Sequence, residues 1–204
     1  MEKNSNLKEL ESGNLEIPGI DIRTVAFKVK GVSPLIVNHF SEKTRTELKE
    51  KVEGKAKKGR EVRVPEEIYE NCQYWFKDGI RSGVNAVMFK ASMVRAGNQL
   101  NMKMTNLRKS FFVLAEDGEC IEIKGDKGMR TDTVRLKNGS ADVRTRACFE
   151  VGWEANVLIE YNANCITAAQ LGKLLMNAGW SCGIGEWRPE KCDTGSYGRF
   201  AIVN

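Results

Sequence analysis

The sequence has one histidine, His39, in 204 residues, and its six cysteines (Cys72, Cys120, Cys148, Cys165, Cys182, Cys192) contain no C-x-x-C pair. Zinc and redox centres need His and Cys at close spacing, so no metal and no cofactor is expected, and the cysteines read as reduced, small apolar residues. No apolar run approaches the roughly 20 residues that span a bilayer. The amino terminus, MEKNSNLKELESGNLE, is polar and of mixed charge, not a basic stretch leading into an apolar one. A cytoplasmic location without a membrane partner is the resulting expectation. His39, in PLIVNHFSEK, is a lone histidine with no obvious serine, cysteine or carboxylate partner for a catalytic pair legible in sequence. No P-loop is present either: the glycine-rich stretch near the end lacks Gly-Lys-Ser or Gly-Lys-Thr, and it follows a predicted helix, which also excludes a Rossmann fingerprint.

What the chain does have is an ordinary globular composition, 41% hydrophobic and 29% charged, with a net charge of +5. That charge is unevenly placed. Residues 1–21 carry five acids against two lysines, 42–63 carry nine cations against five acids, and 124–146 carry seven against three. Two basic segments of this kind attract polyanions more strongly than the net charge implies.

Residues 1–22 read as a polar leader. TVAFKVKG (24–31) alternates as a half-buried strand does. VSPLIVNHF turns at Pro34 and continues apolar, and 42–63 has few apolar residues, chiefly Leu48 and Val52, so it is a solvated helix or arm. An aromatic hairpin or irregular piece fits 66–84. Next comes a helix over about 86–99, capped by Asn85 and burying Val87, Ala91, Val94 and Leu100. NMKMTNLRK reads as a polar connector, SFFVLAEDGECIEIKG as a strand pair around Glu116-Asp117-Gly118, and 125–146 as a protruding hairpin tipped near 137–140. FEVGWEANVLIEYN reads as one long strand. A helix follows, with Thr167 near its start and Gly179 just past its end, and RFAIVN is the last strand.

This order is β-α-β-β-α-β, the arrangement of an α+β, ferredoxin-like (RRM-like) core. It places one such domain over 23–204, with a basic insertion after strand 1 at about 40–84 and a thumb-like hairpin at 125–146. Between the last helix and last strand lies GIGEWRPEKCDTGSYGRF, where Gly183, Gly185 and Gly198 interleave with Trp187, Arg188, Lys191, Tyr197 and Arg199. Cations beside planar rings suit a phosphodiester strand: charges hold phosphates and rings stack on bases.

A glycine-rich loop in this position resembles the loop of the RAMP superfamily of CRISPR-associated RNA-binding proteins. Within that family, the basic hairpin resembles the thumb of the CRISPR effector backbone subunit. The chain is also similar to phage and prophage proteins with SPLIVNHFSEK early and GEWRPEK late. The resemblance implies RNA binding and head-to-tail assembly along the strand, as a filament or ring. It matches Gly183, Gly185, Gly195 and Gly198 to the loop glycines and Arg188 and Arg199 to its cations. Some backbone subunits of the family cleave RNA with an aspartate after the first strand, and here none occurs between Asp21 and Asp78.

The combined expectation is a non-enzymatic, single-stranded nucleic-acid-binding protein, with RNA as the expected strand and a homo-oligomer as the expected assembly. One groove would gather Lys90 and Arg95 from the first helix, Lys103, Arg108 and Lys109 from the connector, and Arg130, Arg135, Lys137, Arg144 and Arg146 from the hairpin. The loop would add Gly183, Gly185, Trp187, Arg188, Lys191, Tyr197, Gly198 and Arg199. Three other readings stay open: a phage single-strand annealing or recombination protein preferring DNA, a metal-independent endoribonuclease using His39, and a phage anti-defence protein.

Overall fold

The computed structural model describes residues 19–39, 46, 49–50, 52–54, 64–135 and 138–203. Alternation decides the first strand, β1 (Ile22–Gly31): Val25, Phe27 and Val29 turn inward, while Thr24, Ala26, Lys28 and Lys30 stay exposed. A short β2 (Leu35–Val37) follows and is wholly buried. Helix α1 (Pro65–Asn71) leads into the hairpin β3 (Tyr74–Trp75) and β4 (Ser82–Asn85). Helix α2 (Ala86–Ala96) starts where the Asn85 side chain accepts a hydrogen bond from the Val87 N–H at 2.9 Å. A 3₁₀ turn and helix α3 (Met104–Ser110) then lead to β5 (Phe111–Leu114), β6 (Cys120–Glu122), and the long hairpin β7 (Lys127–Arg135) and β8 (Ala141–Phe149). Strand β9 (Glu154–Asn162), helix α4 (Ala168–Asn177) and β10 (Phe200–Val203) complete the chain. A capping box opens α4: Thr167 Oγ1 accepts from the Gln170 N–H, and the Gln170 side chain accepts from the Thr167 N–H.

The main sheet has the order β10-β1-β9-β5, with every neighbouring pair antiparallel. Helix α2 lies in the chain between β1 and β5, and α4 between β9 and β10. That order and connectivity define the ferredoxin-like architecture by themselves. Phe89 and Met93 of α2 and Leu171, Leu174 and Leu175 of α4 share one apolar cluster with Val29, Phe111, Val157, Ile159 and Phe200 of the sheet. A second sheet, β2-β8-β7, and a third, β3-β4-β6, are built from the segments between these core elements.

Several local expectations are corrected. The buried stripe of α2 is Ala86, Phe89, Met93, Val94 and Ala96, whereas Val87 is 64% exposed. Phe89, Met93 and Ala96 follow the i, i+4, i+7 spacing with the larger side chains, and the greater apolar area turns inward. The expected connector 101–109 is mostly helical, with Leu107 buried against the core. In 66–84 a helix, α1, precedes the hairpin, and its signals are local: Pro65 at the start and Glu66 and Glu67 in the first turn.

The segments 111–114 and 120–122 are both strands but do not form one ladder. β5 pairs with β9 and β6 with β4, and an isolated Asp117–Cys120 bridge closes the turn between them. FEVGWEANVLIEYN is broken at 150–153 into the end of β8 and the whole of β9. Gly179 lies just past the end of α4, but the chain continues there into a π turn (Ala178–Cys182), and a Cβ at Gly179 would meet the Phe200 carbonyl oxygen at 2.1 Å. Most of the basic run 42–63, and residues 1–18 of the leader, lie outside the described residues. Thr46, Lys49, Glu50 and Val52 are helical, with Val52 89% exposed. No helix among the described residues is long and apolar enough to cross a membrane.

Candidate nucleic-acid interface

The glycine-rich loop, residues 183–199, is docked and not free. The Glu186 N–H donates to the Ile36 carbonyl at 2.9 Å, the Gly198 N–H to the Pro34 carbonyl at 2.7 Å, and the Ile184 N–H to the Gly198 carbonyl at 3.0 Å. The loop thus lies along β2, itself the inner neighbour of the β8–β7 hairpin. Two glycines make this contact possible. A Cβ at Gly185 (φ +76°) would stand 2.4 Å from the Ile36 carbonyl oxygen, and one at Gly198 (φ +66°) 1.8 Å from that of Ile184.

Around this backbone, carboxylates and guanidinium groups interlock. Arg146, on the hairpin, is 1% exposed. Its Nη2 meets Asp132 Oδ2 at 2.8 Å, its Nη1 meets Glu186 Oε2 at 2.5 Å, and its guanidinium carbon lies 4.3 Å from the centre of the Trp187 ring. Asn38 Nδ2 donates to the other Glu186 oxygen at 3.0 Å. Arg130 donates from Nε to Asp132 at 3.0 Å and lies 5.0 Å over Tyr197. Trp187 holds an unusual φ of +52°, and its ring centre is 5.8 Å from that of Tyr197. Both rings are half-buried, leaving part of each at the surface.

Burial pushes the Asp132 carboxyl up, but its hydrogen bonds and charge pairing with Arg130 and Arg146 outweigh this and hold it below the ordinary aspartate range. Hydrogen bonding to Asp132 raises Arg130 in turn, against the opposing effect of its own burial.

A second cluster holds the loop's middle. Arg188 donates from Nε to Glu190 at 3.0 Å and from Nη1 to the Gly185 carbonyl at 2.7 Å, while Arg95 of α2 pairs with the other Glu190 oxygen. Arg199 differs from both arginines. It has no ion pair among the described residues, its guanidinium carbon stands 4.7 Å over the Trp180 ring, and its Nε, like that of Arg146, is buried without a hydrogen-bond partner. Its backbone is fixed by a donated bond to Ser33 Oγ at 2.9 Å and by accepting from the Val32 N–H at 2.9 Å.

The cations named from sequence therefore fall into groups. Arg130, Arg146, Arg188 and Arg95 converge on the loop but face carboxylates. Arg135 and Arg144 on the hairpin and Lys191 on the loop are exposed, with Arg144 3.8 Å from Asp142. Lys90 reaches over the Phe112 ring at 3.8 Å, at the β5 edge of the sheet, and burial lowers its pKa. Lys103, Arg108 and Lys109 are exposed on or beside α3, which packs against α2 and β5. Lys137 lies outside the described residues. Gly183 (φ +68°) ends the π turn and starts the loop. His39 donates its backbone N–H to the Cys72 carbonyl at 2.7 Å, and its ring packs 4.6 Å from that of Tyr74.

Sequence reasoning missed Asp132 and Trp180. Asp132 and Glu186 could not be paired with Arg146 without the fold, whereas Glu190 lies two residues from Arg188 and their pairing is a local one. Trp180 had a signal: it continues the exposed positions Lys173 and Met176, opposite the buried Leu171, Leu174, Leu175 and Ala178. No group of three or more His, Cys, Asp or Glu among the described residues is placed to hold a metal.

The strand order and the docked loop define an α+β, ferredoxin-like protein whose glycine-rich loop is fastened to a basic hairpin. No family model and no curated protein matches the sequence. Among solved structures it is similar to a chain in the cryo-EM structure of the Type III-B Cmr-beta bound to cognate target RNA, with 9% identity and a TM-score of 0.47. The match covers 90% of this chain and 59% of that one, so this chain spans less than two thirds of that chain's length.

Proposed function

We propose that the protein binds single-stranded nucleic acid, with RNA as the preferred strand, across the glycine-rich loop and the adjoining hairpin face, and that it is not an enzyme. The observation that carries this reading is the Trp187–Tyr197 pair, half-exposed, with the Arg130 guanidinium 5.0 Å over Tyr197 and exposed Arg144 on the same face of the hairpin. Rings of this kind stack on any base, and adjacent cations hold phosphates without reading sequence. The choice of RNA and head-to-tail assembly along the strand follow from the family that the loop and hairpin resemble, and the proposed cytoplasmic location from the polar amino terminus and the lack of a long apolar run.

Fluorescence anisotropy with labelled oligouridine and oligothymidine of equal length, across a salt series, tests the reading. Binding should weaken with salt at about 0.7 per phosphate contact on a log–log plot, and Tyr197→Ala should weaken it on both strands. Affinity independent of salt, or Tyr197→Ala binding like the wild type, would remove this surface as the contact. Sedimentation with and without the oligonucleotide tests assembly: a species of constant size at every oligonucleotide length would exclude head-to-tail growth.

A further inference from the structure

Trp180 is 72% exposed, the most exposed aromatic ring among the large exposed hydrophobics, although tryptophan is on average a highly buried residue. It sits on the π turn Ala178–Cys182, which adds a residue to the end of α4 and departs from the regular helix there. Single π turns of this kind often mark functional positions. Over its ring lies Arg199, the loop arginine that no carboxylate neutralises among the described residues.

We infer that Trp180 and Arg199 form a second nucleotide subsite, in which the indole stacks on a base and the guanidinium takes the adjoining phosphate. This rests on the reading that the loop contacts a single strand, and it extends the path of that strand past Tyr197. Tyr197 and Arg199 are two residues apart, so at most about 7 Å of chain separates the two subsites along the loop.

Charge favours a nucleotide over a protein surface as the occupant. A cation stacked on an open ring and lacking its own anion attracts a phosphate, and the same stripe of α4 presents the exposed Lys173 with no ion pair among the described residues. The arginine is also pre-positioned. Its backbone is held at both N–H and carbonyl by Ser33 and Val32 and its guanidinium rests on the Trp180 ring, so part of the ordering cost is met before binding.

The test uses the full chain at nanomolar concentration with labelled oligouridine. Trp180→Ala should weaken binding about 5- to 140-fold, whereas Trp180→Phe, which keeps a ring, should recover most of the loss. Arg199→Gln should lower the salt slope by about 0.7, the contribution of one phosphate. Because the ring is exposed, thermal melting of the two Trp180 variants should match the wild type. Wild-type binding with Trp180→Ala unchanged would overturn the subsite and leave the loop reading intact. Absence of wild-type binding would overturn both. If Trp180→Ala dissociates a self-assembled species while oligonucleotide affinity stays constant, the surface is an interface between copies and the inference is wrong.

Discussion

The two arms of the glycine-rich loop contrast in what their arginines face. On the first arm Arg188 is chelated by Glu190 and the Gly185 carbonyl, and Glu186 is gripped by Arg146 from the hairpin. On the second arm Arg199 has a ring and, among the described residues, no carboxylate. A cation's presence in a basic motif therefore says little about its availability. The first arm uses its charges to lock loop to hairpin, and on the proposed reading the second offers its charge to a bound strand. If that division holds, losses of stability and losses of binding should separate along the loop.

The largest effect is expected at Arg146. Removing it leaves Asp132 and Glu186 without their shared counter-ion in a site where the arginine itself is 1% exposed. Truncating one member of a buried pair costs about 3–5 kcal/mol, and the partial exposure of Glu186 favours the lower end. Arg146→Ala should lose about 3 kcal/mol in urea unfolding, against less than about 0.5 for Arg199→Ala. Equal losses would erase the distinction between the arms.

Arg188→Ala comes next. It removes charge-assisted bonds to Glu190 and to the Gly185 carbonyl and leaves Arg95 alone on Glu190. Such bonds contribute about 1.5–3 kcal/mol when well shielded, and the half-buried site reduces this to about 1–2. Melting temperature should fall for Arg188→Ala and stay level for Arg199→Ala, while oligonucleotide affinity should fall more for Arg199→Ala. The reverse ranking would assign the strand contact to the first arm.

Why the two kinds of arginine look alike in sequence is a matter of range. Elements set by local patterns were legible: the alternation of β1, the Asn85 and Thr167 caps, the 125–146 hairpin, and from these the β-α-β-β-α-β order. Features set by distant partners were not. β5 and β6 flank one short turn yet join different sheets, because their partners β9 and β4 lie elsewhere in the chain. Helix α3 buries few side chains, so it left little apolar period to read. Arg146 sits among cations in ADVRTRACF, and nothing local shows that Asp132, 14 residues back, and Glu186, 40 residues ahead, close around it.

Acid offers a third way to sharpen the contrast. Although burial pushes Asp132 up, Arg130 and Arg146 hold it below the ordinary aspartate value of 3.8. A carboxyl depressed in the folded state adds stability that is complete above the unfolded value and is lost as pH falls through the folded one. Stability should therefore decline as pH drops below 3.8. In Asp132→Asn, which starts less stable, this part of the decline should shrink. An identical acid profile for wild type and variant, followed by urea midpoints, would mean that Asp132 titrates alike in both states and does not tie the hairpin to the loop.

The smallest effect is expected at Arg144, on the hairpin face beside Arg130 and Arg146 but pointing to solvent. Its side chain is 45% exposed and its nearest carboxylate, Asp142, is 3.8 Å away, so the pair contributes little to folding. Arg144→Ala should melt with the wild type. If the strand runs along this face, the variant loses one phosphate contact: affinity should drop a few-fold at low salt, and the log–log salt slope should shrink by about 0.7. The loss should be equal for oligouridine and mixed sequences, because a phosphate contact reads no base. A slope identical to wild type would move the strand off the hairpin and leave the second arm of the loop as the contact, whereas a lowered melting temperature would place Arg144 with Arg146 among the charges that hold the fold.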